Sequence, residues 1–353
     1  MKFYFLSLLL VFTANLQGQA SDSLRFPQER HLKHVRQLTF GGENAEAYWS
    51  FNNDQLVFQR TDKENGIPCD RIFVWALTPN NMESNPAVQV SSGQGRTTCA
   101  YFLKGDSMVI YASTHATSAD CPPEPERNSE AYYWPIYPSF DLYLKNLKTG
   151  ELQRLTNRLG YDAEATVSPK GDKIVFTSDR SGDLELWTMD LDGSHLRQIT
   201  KGLGYDGGAF FSPDGEHLVF RASRPKTAEE IEKYTRLFKA GLVAPSEMEI
   251  YTCRADGTEL RQITQLGKAN WAPFFHPSGT KILFSSNHAS QRGYQFNLYM
   301  VNLDGSGLEQ ITYDSVFDAF PMFSFDGKKL VFSSNRNNGG SRATNLFIAD
   351  WID

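Results

Sequence analysis

Residues 168–200 read SPKGDKIVFTSDRSGDLELWTMDLDGSHLRQIT, and the punctuation of this stretch decides the fold. Ser168-Pro169-Lys170-Gly171 is a turn: proline presets φ, and glycine supplies the positive φ that closes a hairpin between the apolar run ending at Val167 and the run Lys173 to Phe176. After Ser178-Asp179-Arg180 a third run follows from Leu184 to Met189, and Asp192-Gly193 turns the chain into a fourth, Leu196 to Thr200. Four short strands joined by tight turns are the content of one propeller blade.

The pattern returns as SPDGEHLVF at Ser212, HPSGTKILFSSN at His276 and FSFDGKKLVFSSNR at Phe323. The hairpin glycines Gly171, Gly215, Gly279 and Gly327 keep a near-constant spacing, apart from a longer gap between the second and third. A repeat of ~40 to 45 residues with several strands per unit signals propeller blades, the longer gap holding an insertion. Third strands recur at Ile72 to Trp75, Leu142 to Leu144, Ile250 to Cys253, Leu298 to Val301 and Leu346 to Ile348, which makes six with the first. Outer strands also number six, from Gln37-Leu38-Thr39 to Gln310-Ile311-Thr312. The first outer strand precedes any blade of its own and the last blade stops at its third strand. His34 to Thr39 is therefore expected to pair with Leu346 to Ile348 and hide an open sheet edge. The expected fold is all-β, a six-bladed β-propeller of four-stranded blades closed by the N-terminal strand.

These repeats resemble the WD40-like (PD40) repeat of the TolB family, over nearly the whole chain after residue 20. The resemblance implies the propeller strongly and the function weakly, because such blades serve translocation proteins, peptidase propeller domains and some lyases. Neither the α/β domain that precedes the propeller in TolB nor a hydrolase domain after Asp353 is expected, and the chain has no G-x-S-x-G nucleophile elbow. The resemblance extends to exported propellers with insertions like the STH…CPP and RASRPKT stretches seen here.

Of the 353 residues, 40% are hydrophobic and 13% aromatic, enough for a large core. The formal charge is -6 and no basic stripe is present, which excludes nucleic acid as an expected partner. Residues 1–20 read as a signal peptide: Lys2, the apolar run Phe3 to Phe12, then Gly18 and Ala20, with cleavage expected near Ala20 and a periplasmic or secreted product. That run is too short to span a membrane, so no membrane insertion is expected. Residues 21–353 then form the propeller, with insertions at 114–139 and 225–247.

Function is expected where the copies diverge. The first insertion, THATSADCPPEPERNSEAYYWPIYPS, carries Pro122, Pro123 and Pro125 and the aromatic cluster Tyr132, Tyr133, Trp134 and Tyr137. It reads either as a surface that stacks on sugars or grips peptides, or as a self-packed loop. The second is expected to hold a helix, with Thr227 and Glu230 as a capping box, Ile231, Tyr234, Leu237 and Phe238 as one apolar stripe and Gly241 as its stop. Both leave from the turn between second and third strands, on the face where the inner strands begin.

Four residues before each hairpin serine, or its equivalent, the channel positions read Glu46, Thr98 or Cys99, Glu164, Gly208, Ala272 and Phe320. Glu46 and Glu164 read either as an acid/base or cation-binding pair or as solvated glutamates at a wet channel mouth. The predicted ligand-binding set is Glu46, Trp49, Arg96, His115, Tyr133, Trp134, Glu164, Asn270 and Trp271, with Glu46, Glu164 and His115 as catalytic candidates if the protein is an enzyme. Asp162, Asp206 and Asp318 are expected to hydrogen-bond turns, and Arg180, Arg224 and Arg336 to pair at blade edges. The scattered histidines form no metal motif, so no cofactor is predicted, although a divalent metal held by residues from different blades stays open. Cys69, Cys99 and Cys121 map to one face, and a disulfide from Cys99 to Cys69 or to Cys121 is expected, with zinc as the lesser reading. Cys253 is expected as a buried free thiol. The expected function is a non-catalytic binding scaffold for a protein partner or a carbohydrate or peptide ligand. The alternative is a metal-assisted or carboxylate-dependent hydrolase or lyase acting on a carbohydrate.

Overall fold

The computed structural model describes residues 22–77, 86–124, 132–291 and 293–353; the expected signal peptide, residues 1–20, lies outside them. Among the described residues the fold is an all-β propeller with one α-helix. Its sheets comprise four of four strands, one of eight and one of two. The strands Glu43–Trp49, Gln55–Asp62, Ile67–Ala76 and Val88–Gln89 make one antiparallel sheet, and the sheets that begin at Asp206–Phe211 and Asn270–Phe275 repeat the order. In the eight-stranded sheet two such units join where Gly160–Val167 lies parallel to Ser139–Asn146 over the pairs Gly160↔Ser139 and Tyr161↔Phe140. The same contact is a single bridge elsewhere, at Glu43↔Thr344, Met248↔Ala269 and Phe296↔Phe317.

The last sheet closes the ring. Asp318–Phe323, Lys329–Ser334 and Asn345–Trp351 receive Leu32–Gln37 as a fourth strand, with Arg36 opposite Ile348 and Gln37 opposite Phe347. This is the expected closure, and it pairs an edge that would otherwise be open to another chain.

The terminal hydroxyl residue of each outer strand accepts a hydrogen bond from the third strand's backbone. Thr156, Thr200, Thr264, Thr312 and Thr39 accept from the N–H groups of Leu142, Leu186, Ile250, Leu298 and Leu346, each at 2.9 Å, and Ser91 accepts from Ile72 at 3.0 Å. This explains the recurrent Gln-Ile-Thr: the hydroxyl satisfies a buried donor where the short outer strand ends.

The inner strands Glu43–Trp49, Thr97–Phe102, Gly160–Val167, Asp206–Phe211, Asn270–Phe275 and Asp318–Phe323 pack each on the next, and the last on the first, around a central channel. Every one of them carries a register shift against its second strand. At these bulges Glu46, Cys99, Glu164, Gly208, Ala272 and Phe320 all adopt φ between 45° and 59°. Five are not glycine, so the left-handed backbone is imposed by the bulge, which re-aims those five side chains into the channel while Gly208 leaves its place open. Of the two alternatives in the second copy, Cys99 takes this position.

The helix is Ala228–Lys239, with the predicted Thr227/Glu230 capping box. Tyr234 and Phe238 pack on the core and Leu237 is buried, but Ile231 is exposed and drops out of the expected stripe. Asp162, Asp206 and Asp318, expected to hydrogen-bond turns, instead pair with the recurrent arginines, Arg180 with Asp162, Arg224 with Asp206 and Arg336 with Asp318, because each arginine follows the second strand that lies beside its aspartate.

Candidate functional site

The two insertions meet. Trp134–Pro135 from the first and Leu242–Val243 from the second form a two-stranded antiparallel sheet, with Val243 opposite Trp134, and the Ile136 N–H donates to the Gly241 carbonyl at 2.7 Å. Trp271 of an inner strand anchors the second insertion through its indole N–H, which donates to the Pro245 carbonyl at 2.8 Å. A disulfide between Cys69 and Cys121, with Cα atoms 6.1 Å apart, ties the first insertion to the strand Ile67–Ala76. Beneath this roof lies a cavity of about 1520 Å³, lined by all six bulge residues and by Tyr133, Trp134, Tyr161, Tyr205, Arg221 and Trp271 among others.

One side of the cavity is polar. Glu164 is buried and paired with Arg221; its carboxylate also accepts from the Tyr205 hydroxyl and the Thr177 hydroxyl at 2.7 Å each, and from the Gly208 N–H at 2.9 Å. Burial works to raise the Glu164 pKa, but the Arg221 charge and these hydrogen bonds outweigh it and hold the carboxyl below its usual range. The Arg221 guanidinium lies over both rings of an edge-to-face pair, 5.0 Å from the Trp134 ring centroid and 4.9 Å from that of Tyr205. It fills the room left by Gly208, where a Cβ would collide with its Nη1.

Glu46 differs. It is reached from the cavity yet surrounded by protein, and burial pushes its pKa up to about 7; a hydrogen bond with Cys99 opposes the rise and the Glu164 charge adds to it. Cys99 is a free thiol, raised well above its ordinary pKa by burial first and then by Glu46 and Glu164. An aromatic wall adjoins this polar side through Trp134: Trp271 stacks on Phe296 with centroids 4.2 Å apart and meets Trp134 at 5.1 Å, with Phe317 and Phe320 also in the lining.

Of the predicted ligand-binding residues, Glu46, Arg96, Tyr133, Trp134, Glu164 and Trp271 line this cavity. Arg96 is engaged by Asp70 at 3.1 Å and Glu124 at 3.6 Å. Three do not belong to its lining. Trp49, 1% exposed, points into the core because it lies an odd number of residues past the bulge. Asn270 is fully buried, its amide donating to the carbonyls of Met248 at 2.8 Å and Gly267 at 3.1 Å and accepting from the Ser286 hydroxyl at 2.6 Å, so it clamps neighbouring sheets. His115 bonds to the Ser113 hydroxyl at 2.7 Å and packs on Tyr143 at 4.3 Å between ring centroids, away from the two glutamates. The solvated-glutamate reading fails for Glu164, which is buried in its ion pair. The expected disulfide through Cys99 is also corrected: the bulge aims Cys99 into the channel, leaving Cys69 and Cys121 to bond, while Cys253 is a buried free thiol as expected.

Arg221 is the main residue missed. Its place on the second strand, opposite the residue just before the bulge, holds Gln59, Ala112, Thr177, Ser285 and Ser333 in the other copies. A large cation among small or neutral residues, facing a glycine pair at Gly207-Gly208, was a legible signal. Among the described residues no group of three or more His, Cys, Asp or Glu side chains is placed to hold a metal ion, and no helix is long and apolar enough to cross a membrane.

Residues 140–229 match the family model of the TolB beta propeller domain, PD40. No curated protein matches the chain. Similar solved structures include an Agrobacterium tumefaciens protein assigned as TolB, 17% identical with a TM-score of 0.57, covering 88% of this chain and 91% of that one. TolB from Acinetobacter baumannii is 17% identical with a TM-score of 0.54, over 88% of this chain and 64% of that one. An oligogalacturonate lyase from Vibrio parahaemolyticus is 14% identical with a TM-score of 0.52, over 90% of this chain and 93% of that one. At these identities the likeness is one of fold.

Proposed function

We propose that this β-propeller, whose residues 140–229 match the TolB propeller model, is an exported binding protein, without chemistry of its own, that holds a carbohydrate or peptide ligand or a protein's projecting segment in the roofed channel mouth. The observation that carries this reading is the pairing of the two insertions over the channel, which turns a propeller face into an aromatic-walled cavity of about 1520 Å³. Such a volume exceeds what a single small metabolite needs and suits an extended ligand. We count six blades, taking the eight-stranded sheet as two blades joined by one parallel contact, in line with the six bulges. We also read residues 1–20 as a signal peptide and 21–353 as the propeller, delivering the protein to the periplasm or outside the cell.

The test is native mass spectrometry of the protein purified from its own envelope fraction, followed by thermal-shift screening against neutral oligosaccharides and short peptides. A stoichiometric adduct or a stabilising ligand that is lost in the double variant Trp134→Ala, Trp271→Ala supports the reading. The absence of both an adduct and a thermal shift in the wild type would sink it.

One observation favours the enzymatic alternative, a carboxylate-dependent hydrolase or lyase on a carbohydrate. Glu46 is pushed up to about 7 while Glu164 is held low, the divergence expected of a proton donor beside an ionised partner. Turnover of an oligosaccharide that disappears in Glu46→Gln, with binding retained, would replace the scaffold reading with this one.

A further inference from the structure

We propose that the ligand of the roofed cavity carries an ammonium group, seated against the Glu46 carboxylate within the ring of aromatic side chains. This rests on the reading of the cavity as a binding site and adds the chemistry of its occupant.

Among the six bulge positions that line the cavity, charge balance singles out Glu46. Glu164 is neutralised by Arg221, and Arg221 is committed to Glu164, to the Tyr205 hydroxyl at 2.6 Å and to the ring faces of Trp134 and Tyr205. Asp70 is matched by Arg96 at 3.1 Å. The groups that bear on Glu46 are the Cys99 thiol, Glu164, Arg221 and Asp70, together with the neighbouring Tyr48. None is a cation free to pair with it. A half-buried carboxylate without a counter-ion takes up a proton or waits for a cation.

The surroundings select the kind of cation. A bare divalent ion needs several oxygen ligands at short range, and no group of three or more candidate side chains lies together among the described residues. An anionic ligand would face the Glu46 carboxylate, which has no paired cation, whereas Glu164 is already neutralised by Arg221. An ammonium group instead meets one carboxylate and the negative faces of aromatic rings, and Tyr48, Phe210 and Phe320 line the cavity with Glu46. Tyr48 and Phe210 hold one another edge-on with centroids 5.3 Å apart, and the φ of 54° at Phe320 aims its side chain into the channel. Their rings form the neutral wall that a charged amine tolerates.

An ammonium group could belong to an amino sugar or to a peptide, and the test separates the two. Calorimetric titrations at pH 7.0 use a glucosamine tetramer against its N-acetylated form, and a lysine-containing tripeptide against its fully acetylated form. The expected result is that one free amine binds at least about tenfold more tightly than its acetylated partner, the preferred pair identifying the source. The preference shrinks at pH 5.0, where a proton occupies Glu46, and is lost in Glu46→Gln, whose folding is checked by its melting temperature. Equal binding of free and acetylated probes, or an amine preference that survives Glu46→Gln, overturns the ammonium assignment while leaving a binding cavity in place. If neither amine binds, the assignment falls as well, and the screen with neutral oligosaccharides and peptides then decides separately whether the cavity binds anything.

Discussion

Replacing Glu46 by glutamine should make the protein more stable above neutral pH and change little below pH 5. In the unfolded chain a glutamate titrates near 4.5, whereas burial in the fold pushes Glu46 up to about 7. Between those values the folded state binds the proton more tightly than the unfolded state, so stability falls as pH rises through the window and the loss is complete above about pH 7. The gap between 4.5 and about 7 bounds the loss at about 3.5 kcal/mol, and access of water from the cavity reduces it to an expected ~1–3 kcal/mol. The assay is urea unfolding followed by tryptophan fluorescence at pH 5.0 and 8.5, for wild type and Glu46→Gln. The wild type should lose stability relative to the variant over this interval, which cancels the titration of other carboxylates. Parallel behaviour of the two proteins would show that Glu46 titrates normally and would remove the electrostatic basis of the cavity argument.

Arg221→Ala should destabilise by about 3–5 kcal/mol in denaturant unfolding by leaving Glu164 buried and unpaired, and adding Glu164→Gln should recover part of the loss; an additive double variant would contradict the coupling. Cys69→Ser with Cys121→Ser should cost about 2–4 kcal/mol and make the first insertion a preferred site of limited proteolysis, an outcome refuted by an unchanged digestion pattern. Thr264→Val should cost about 1 kcal/mol by stranding the Ile250 N–H, measured as a lower urea midpoint, whereas Thr264→Ser should be near neutral. A thiol reagent at pH 8 should label Cys99 slowly in the native protein, because burial and the two glutamates disfavour its thiolate, and faster in Glu46→Gln; rapid labelling of the wild type would count against this.

What the sequence determined by itself is local and repeated. The proline–glycine hairpins, the Gln-Ile-Thr outer strands and the alternating apolar strands each specify a contact within some forty residues, so periodicity alone exposes the sheets. The mismatch between first outer strand and last third strand likewise foretold the pairing of Leu32–Gln37 with Asn345–Trp351. The six channel positions were legible because a bulge recurs at a constant distance from each hairpin. The tertiary structure alone decided what fills the space above them. Trp134 and Val243 meet across more than a hundred residues of chain, and no local pattern marks that two-residue sheet. Arg221 reaches Glu164 only because adjacent inner strands pack side by side and Gly208 leaves room. The same geometry turned Cys99 into the channel and away from Cys69, sent Trp49 into the core and drew Asn270 into a clamp between sheets. Residue type names the chemistry available. Which way a bulged strand aims a side chain, and which distant loop covers it, depends on packing between units that are far apart in sequence.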